Sequence, residues 1–254
     1  MKKKDNVIYK FLIIFIFISI WEISSRLGIV DPQFIPSFSS VITSLWNMIF
    51  LQNFMLNVGI SVERALLGFA VSIVIGIPLG FLLGGWFPKL DLVTEPVIEI
   101  FSQINPFLLF HVFILILGIG EETKVAVIAW TCIWPIVFNT VYGVRSIDSL
   151  ILKEARSFGI GRVKLFYKIV IPSSLPSIFL GLRLSAGYSF FMLIAAEMMG
   201  ASSGLGWLLL TYQQIYDIKR LFATAVVIAF LGLFMDILIK FIQDRFVVSG
   251  ESRL

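Results

Sequence analysis

The residues of this chain that could do chemistry are few, and most stand in apolar surroundings. Glu197 falls in the run Ala195-Ala196-Glu197-Met198-Met199-Gly200. Glu95, Glu99, Gln103, Asn105 and His111 lie along a second apolar stretch, which Pro96 and Pro106 interrupt. Charge inside a bilayer is costly, about 2.5–3.5 kcal/mol for a central Asp, Lys or Arg on insertion scales, so polar groups placed there are candidates for a pathway. Glu197 is the strongest, with Glu99, Gln103, Asn105 and His111 as a second group. A gate or a helix-packing role fits Glu197 as well as substrate contact does. Gln103 and Asn105, two residues apart, share a helix face only if Pro106 distorts the turn. A lone histidine in such a stretch is more often hydrogen-bonded to a neighbouring helix than a ligand.

Catalysis would need more than this. There are no paired aspartates, no His-Glu-x-x-His pair and no Ser/His or Asp/Asp pair within the apolar runs. The single cysteine, Cys132, excludes an intramolecular disulfide and any cysteine-based metal site. No Gly-x-x-x-x-Gly-Lys-Ser/Thr occurs, so the chain has no P-loop for ATP. No catalytic residue, metal or cofactor is expected in this chain. An intramembrane enzyme is the weakest reading, and a secondary transporter would need two similar halves that the sequence does not show.

The elements that position these groups are set by hydropathy. Of 254 residues, 58% are hydrophobic and 14% charged, against about 45–50% and 25% in soluble domains. The chain reads as one all-α membrane domain with about six transmembrane helices, near 7–27, 60–85, 92–117, 123–142, 175–199 and 221–246. The first is a retained span rather than a signal peptide, because its apolar run is long and lacks a small-residue cleavage pattern. The third is the least regular. Proline removes a backbone donor, which a membrane tolerates only where protein or a water-filled cavity serves the freed groups, so this span should face the bundle interior.

Lys2, Lys3, Lys4, Lys10, Lys89, Arg145, Lys153, Arg156, Arg162, Lys164, Lys168, Lys240, Arg245 and Arg253 fall on one set of loops. Arg26, Arg64, Lys124, Lys219 and Arg220 fall on the other. The positive-inside bias puts both termini in the cytoplasm. Arg64 could attract anions or pair with its neighbour Glu63. Segments 38–54, anchored by Trp46, and 207–212, led into by Gly200 to Gly206, read as helices lying in the interface or covering the bundle ends. Gly76, Gly80, Gly84 and Gly181 permit close helix approach.

Between spans four and five lies a basic loop, residues 143–174, longer than a connection requires. Its halves, 149–158 and 162–170, are short amphipathic segments joined across Gly159-Ile160-Gly161, where glycine permits a sharp reversal. Pro172 and Pro176 should stop the second half before the next span. A docking surface is one reading; a basic loop held at the anionic leaflet by charge is the other.

This loop resembles the EAA motif of binding-protein-dependent ATP-binding cassette importers: a Glu-Ala-Ala triplet, three residues, a glycine, nine residues, then Ile-any-Leu-Pro. The triplet falls at Lys153, Glu154 and Ala155, the glycine at Gly159, and the end at Ile169-Val170-Ile171-Pro172. Lys153 replaces the glutamate, Glu154 the first alanine and Ile171 the leucine. The run Ala195 to Gly206 is similar to the stretch after the fifth span in sulfonate, taurine and nitrate permeases. Ser61 to Phe69, Gly76-Ile77-Pro78-Leu79-Gly80 and Gly118-Ile119-Gly120 are similar to that subfamily as well. The likeness covers roughly residues 20–248.

The resemblance implies a type I importer transmembrane fold, in the bacterial plasma (inner) membrane, whose loop is a coupling helix. Two permease subunits, identical copies in this subfamily, would surround the pathway. A cytoplasmic ATPase dimer would bind ATP and Mg and dock on Lys153, Glu154, Ala155 and Gly159, with Pro172 fixing the angle to the fifth span. An extracytoplasmic solute-binding protein would deliver a small anionic or polar organic solute. Membrane lipid is a further partner and nucleic acid is not. Lys153 reverses the usual charge, which implies an acidic patch on the partner ATPase. Related permeases usually carry proline at the positions of His111 and Asn105, so the solute is expected not to be an ordinary alkanesulfonate.

Overall fold

The computed structural model describes residues 2–51, 53–86, 96 and 98–251, with side chains described except at 2–8, 10, 11, 14, 51, 85, 86 and 246–251. The expectations for Lys89, Glu95 and Arg253, and for the side chains of Lys2, Lys3, Lys4 and Lys10, lie outside the described residues. Among the described residues the regular elements are helical. They are α1 (Lys2–Arg26), α2 (Phe38–Leu51), α3 (Phe54–Phe81), α4 (Pro106–Leu117), α5 (Glu121–Arg145), α6 (Ser149–Ser157), α7 (Arg162–Leu165), α8 (Ile171–Gly200), α9 (Leu205–Gln214) and α10 (Ile218–Glu251). The stretches Phe54–Gly84, Glu121–Arg145, Arg162–Gly200 and Ile218–Arg245 are long and apolar enough to cross a bilayer.

The chain divides into two compact units. The first comprises residues 1–60 and 202–229. The helices at 38–51 and 205–214 form as the sequence suggests. The carboxylate of Glu22 on α1 accepts hydrogen bonds from the Ser39 amide (3.0 Å) and hydroxyl (2.8 Å), capping the start of α2. Trp21 donates to the Pro36 carbonyl at 3.0 Å, and the Asn57 amide oxygen accepts from the Gly204 amide at 2.8 Å. Helix α9 closes with Asp217 N–H on the Tyr212 carbonyl and Tyr216 N–H on the Gln213 carbonyl. That pattern needs a left-handed residue, and Tyr216 supplies it at φ 57°.

The second unit, residues 61–201 and 230–254, holds the functional elements. Helices α3 and α5 run side by side in constant register along a stripe of small residues. A Cβ on Gly68 would stand 2.5 Å from Ile128 Cγ2, on Gly76 3.0 Å from Ile136 Cγ2, on Gly80 2.5 Å from Thr140 Cβ, and on Gly84 2.9 Å from Val144 Cβ. Ser72, fully buried, completes the four-residue repeat. Helix α8 packs antiparallel on α5. A Cβ on Gly181 would stand 2.8 Å from the Pro135 carbonyl oxygen. Nearby, Ser185 Oγ donates to the Cys132 carbonyl at 2.7 Å and Cys132 Sγ to the Ser185 carbonyl at 3.3 Å. Val127, Ile128, Phe190, Leu193 and Ala196 fill the core.

Two expectations are corrected here. Pro172 and Pro176 do not end the helix: Arg162–Gly200 is continuous over 39 residues, about 58 Å at 1.5 Å per residue. A π-helical turn at Phe166–Val170 absorbs the misfit, with the Ile171 amide donating to the Phe166 carbonyl. Ser174 Oγ serves the Val170 and Ile171 carbonyls at 2.8 and 3.0 Å. The third expected crossing is not one regular helix either. Residues 98–102 are helical, the chain breaks at 103–105, and α4 restarts at Pro106 for 12 residues, about 18 Å, shorter than a bilayer core.

Candidate functional site

The loop between α5 and α8 is a built element. Asp148 Oδ1 accepts from the Leu150 amide at 2.8 Å, capping the start of α6. The end of α6 is a Schellman closure, with Gly159 N–H on the Arg156 carbonyl (3.0 Å) and Ile160 N–H on the Ala155 carbonyl (3.2 Å). Gly159 has φ 74°, the left-handed conformation this closure requires, and nothing lies within 4 Å of where its Cβ would be. The triplet and the glycine four residues beyond it are therefore the last turn and the stop of one helix.

Ala155 is only 6% exposed and packs with Leu165 and Val170, against Phe81, Val144 and Ile160. Its role is to hold the loop on the ends of α3 and α5. Lys153 and Glu154 are exposed, as are Leu150, Val163 and Tyr167, while Phe158 is 85% exposed. Large apolar side chains therefore flank charges on an exposed surface of the loop. Pro172 is exposed within the unbroken helix that leaves this loop.

At the other end of that helix, Glu197 is fully buried. Its carboxylate accepts from Ser61 Oγ at 2.8 and 2.9 Å and from Arg64 Nη1 at 2.7 Å. Arg64, on α3, also donates from Nη2 to Glu121 Oε1 at 2.7 Å and from Nε to Glu121 Oε2. Lys124 Nζ reaches Glu121 Oε1 at 2.8 Å. Two carboxylates and two cations thus join α3, α5 and α8. Arg64 spans Glu121 and Glu197 rather than its sequence neighbour Glu63.

The remaining pathway candidates sit apart from this network. Glu99, Gln103 and Asn105 are exposed around the break before α4. Asn105 Oδ1 accepts from the Phe107 amide at 2.9 Å, an N-cap made possible by its extended backbone. His111 is exposed, and its Nδ1 lies 3.1 Å from the Phe107 carbonyl of its own helix. The partner is therefore not a neighbouring helix. Among the described residues, no group of three His, Cys, Asp or Glu is placed to hold a metal ion.

The model of the family described as binding-protein-dependent transport system inner membrane component matches residues 76–248. The chain belongs to that family. It is a permease subunit of an ATP-binding cassette importer, and ATP hydrolysis resides in a separate subunit. A Bacillus subtilis permease assigned to aliphatic sulfonate transport is 27% identical over 91% of this chain and 83% of its own length. A nitrate import permease of Synechocystis is 28% identical over 76% and 70%. The inward-facing methionine ATP-binding cassette transporter aligns with a TM-score of 0.62 at 19% identity, over 85% of this chain and 98% of that one, and shares the fold.

Some of the permease's polar groups carried no clear sequence signal. The partners of Glu197 lie more than 130 residues away in the chain. The indole N–H groups of Trp130 and Trp134, four residues apart on α5, are buried and have no hydrogen-bond partner among the described residues. Their rings pack at 5.2 Å, and Phe101 and Phe113 lie against Trp130. Only a shared helix face, i and i+4, hinted at the pair.

Proposed function

We propose that this permease forms, as two identical copies, the pathway for a small anionic or polar organic solute other than an ordinary alkanesulfonate. Both termini and the loop 143–174 lie in the cytoplasm of a bacterial cell. Lys153 and Glu154 dock in a groove of the partner ATPase, shaped for the task by Ala155 and Gly159. Pro172 lies within the long helix, just past the π-helical turn at its loop end. ATP and Mg are held by the ATPase, and an extracytoplasmic binding protein delivers the solute. The sulfonate and nitrate relatives support an oxyanion-like solute. The exposed His111 and Asn105, with Gln103 and Glu99 at the break before α4, support a departure from the commoner substrates.

The observation that carries this reading is the continuity of Arg162–Gly200. A push on the loop acts on one helix whose far end holds Glu197, so work done by the ATPase moves a rod rather than bending a hinge. Closure of the ATPase dimer favours the arrangement in which the two loops approach, and the bundles switch as packed bodies between inward- and outward-facing states.

The test is reconstitution in proteoliposomes with the partner ATPase and binding protein, scoring solute uptake and ATP hydrolysis together. Uptake that needs all three, and that falls with Gly159→Val while the complex stays assembled, is the expected result. Uptake by the permease without its ATPase contradicts the proposal.

A further inference from the structure

Behind the outward face of α6 lies a cavity of about 630 Å³, within the range of ligand pockets. Arg145, Arg156 and Arg162 line it, with Ser149, and no carboxylate is among its lining residues. Among the described residues the guanidinium groups of Arg156 and Arg162 make no hydrogen bond or ion pair. The nearby acids are used elsewhere or face away: Asp148 caps α6, and Glu154 is not part of the lining.

Beside this cavity runs an apolar groove of about 410 Å³, lined by Ile77, Pro78, Leu82, Tyr167 and Ile171. Phe81 and Phe166, whose rings meet edge to face at 5.1 Å, line both spaces. The two follow one another along the Phe54–Gly84 stretch: the groove takes residues 77, 78, 81 and 82 and the cavity 81 and 84. The offset is several ångströms along the helix axis. The apolar end lies on the side of the membrane span and the arginines on the side of the loop. That is the polarity of an amphiphile: a hydrocarbon chain beside a helix, with a phosphate among guanidinium groups.

We propose that cavity and groove together form one site for an anionic phospholipid of the cytoplasmic leaflet, its phosphate held by Arg156 and Arg162 and one acyl chain lying against Ile77, Pro78 and Phe81. The proposal rests on the orientation given under Proposed function. The lipid is a wedge between α6 and the ends of α3 and α5, so it bears on where the loop stands when the ATPase docks. Along helix α6, Ser149, Leu152 and Arg156 line the cavity, with Ser149 and Arg156 also open to solvent, while Lys153 and Glu154 are exposed and take no part in the lining.

The permease–ATPase complex is purified in detergent, offered an equal mixture of dioleoyl phosphatidylglycerol and dioleoyl phosphatidylcholine, and read by native mass spectrometry. Preferential retention of phosphatidylglycerol is expected, falling roughly fivefold for each of Arg156→Gln and Arg162→Gln. Ile77→Trp, which fills the groove, should lower retention with the arginines intact, and millimolar inorganic phosphate should not displace the lipid. Equal retention of both lipids, retention unchanged in the arginine variants, or displacement by phosphate alone overturns the proposal. So does loss of the ATPase from the Arg156→Gln/Arg162→Gln complex with phosphatidylglycerol retention intact, which would assign the cavity to the ATPase. Equal retention of the two lipids by a wild-type complex that still shows ATP-driven uptake would sink this site and leave the importer reading standing.

Discussion

Glu197 Oε1 and Arg64 Nη1 meet at 2.7 Å between α8 and α3, with 0% and 4% of their side chains exposed. Removing Glu197 leaves Arg64 compensated by Glu121 alone and breaks buried charge-assisted hydrogen bonds, each worth about 1.5–3 kcal/mol. Glu197→Ala should therefore lower the thermal stability of the purified complex sharply. Glu197→Gln should cost less, because Ser61 Oγ keeps an acceptor. The double variant Arg64→Met/Glu197→Leu should recover most of the loss. Equal melting temperatures for Glu197→Ala and the wild type would show that this pair does not hold the helices together.

The glycine stripe gives a graded test. Gly80→Ala sets a Cβ 2.5 Å from Thr140 Cβ, whereas Gly76→Ala meets Ile136 Cγ2 at 3.0 Å. Overpacking costs about 1–3 kcal/mol, with Gly80→Ala at the upper end and Gly76→Ala at the lower. Gly187→Ala and Gly232→Ala, where nothing lies within 4 Å, should instead stabilise by about 0.5–1 kcal/mol through helix propensity. Denaturation midpoints in one detergent would rank the four.

Gly159 and Tyr216 occupy the same position of the same helix-ending motif, and should respond oppositely. Gly159→Ala introduces left-handed strain of about 1–2 kcal/mol with no clash, and Gly159→Asn a smaller amount. Tyr216→Gly relieves comparable strain at the end of α9, where Tyr216 is 85% exposed. Hydrogen exchange of the amides of residues 159–160 and 216–217 reports each change locally.

Lys153 is exposed on α6, so its charge is free to act on a partner. Lys153→Glu should weaken coupling of ATP hydrolysis to uptake, Lys153→Arg should preserve it, and an acidic-to-basic change on the ATPase should rescue the glutamate variant. An unchanged ratio of uptake to hydrolysis across that series would remove the acidic patch from the account.

His111→Ala tests substrate choice without breaking α4. His111→Pro would also remove the bond of its own amide within the helix, about 3 kcal/mol. Asn105→Pro removes the N-cap bond to Phe107, worth about 1 kcal/mol. A shift in the solute spectrum toward alkanesulfonates in His111→Ala and Asn105→Pro is expected. Unaltered uptake across sulfonates and other oxyanions would count against a role in selection.

Much of this was legible in the residues. Apolar runs marked α3, α5, α8 and α10, and the triplet with its glycine marked the last turn and stop of α6, because helix closure demands a left-handed residue at that spacing. Gly76, Gly80 and Gly84 announced a close helix approach but not that α5 is the partner, nor that Gly68 and Ser72 belong to the same stripe. Less legible was anything decided by distant partners. Glu197 stood as a pathway, gate or packing group whose partners Ser61 and Arg64 could not be read from the chain, and Arg64 seemed free to pair with Glu63. Proline rules misled at Pro172 and Pro176, because a widened turn and the Ser174 hydroxyl satisfy carbonyls that a regular α-turn would leave open.

The central claim is that the exposed face of the loop at Phe158 seats in the ATPase. A photoreactive benzoyl-phenylalanine in place of Phe158, irradiated in native membranes, tests it directly. A covalent adduct with the ATPase, lost when Gly159→Val disturbs the end of α6, is the expected result. Adducts to lipid alone, from a complex that still couples hydrolysis to uptake, would contradict the claim.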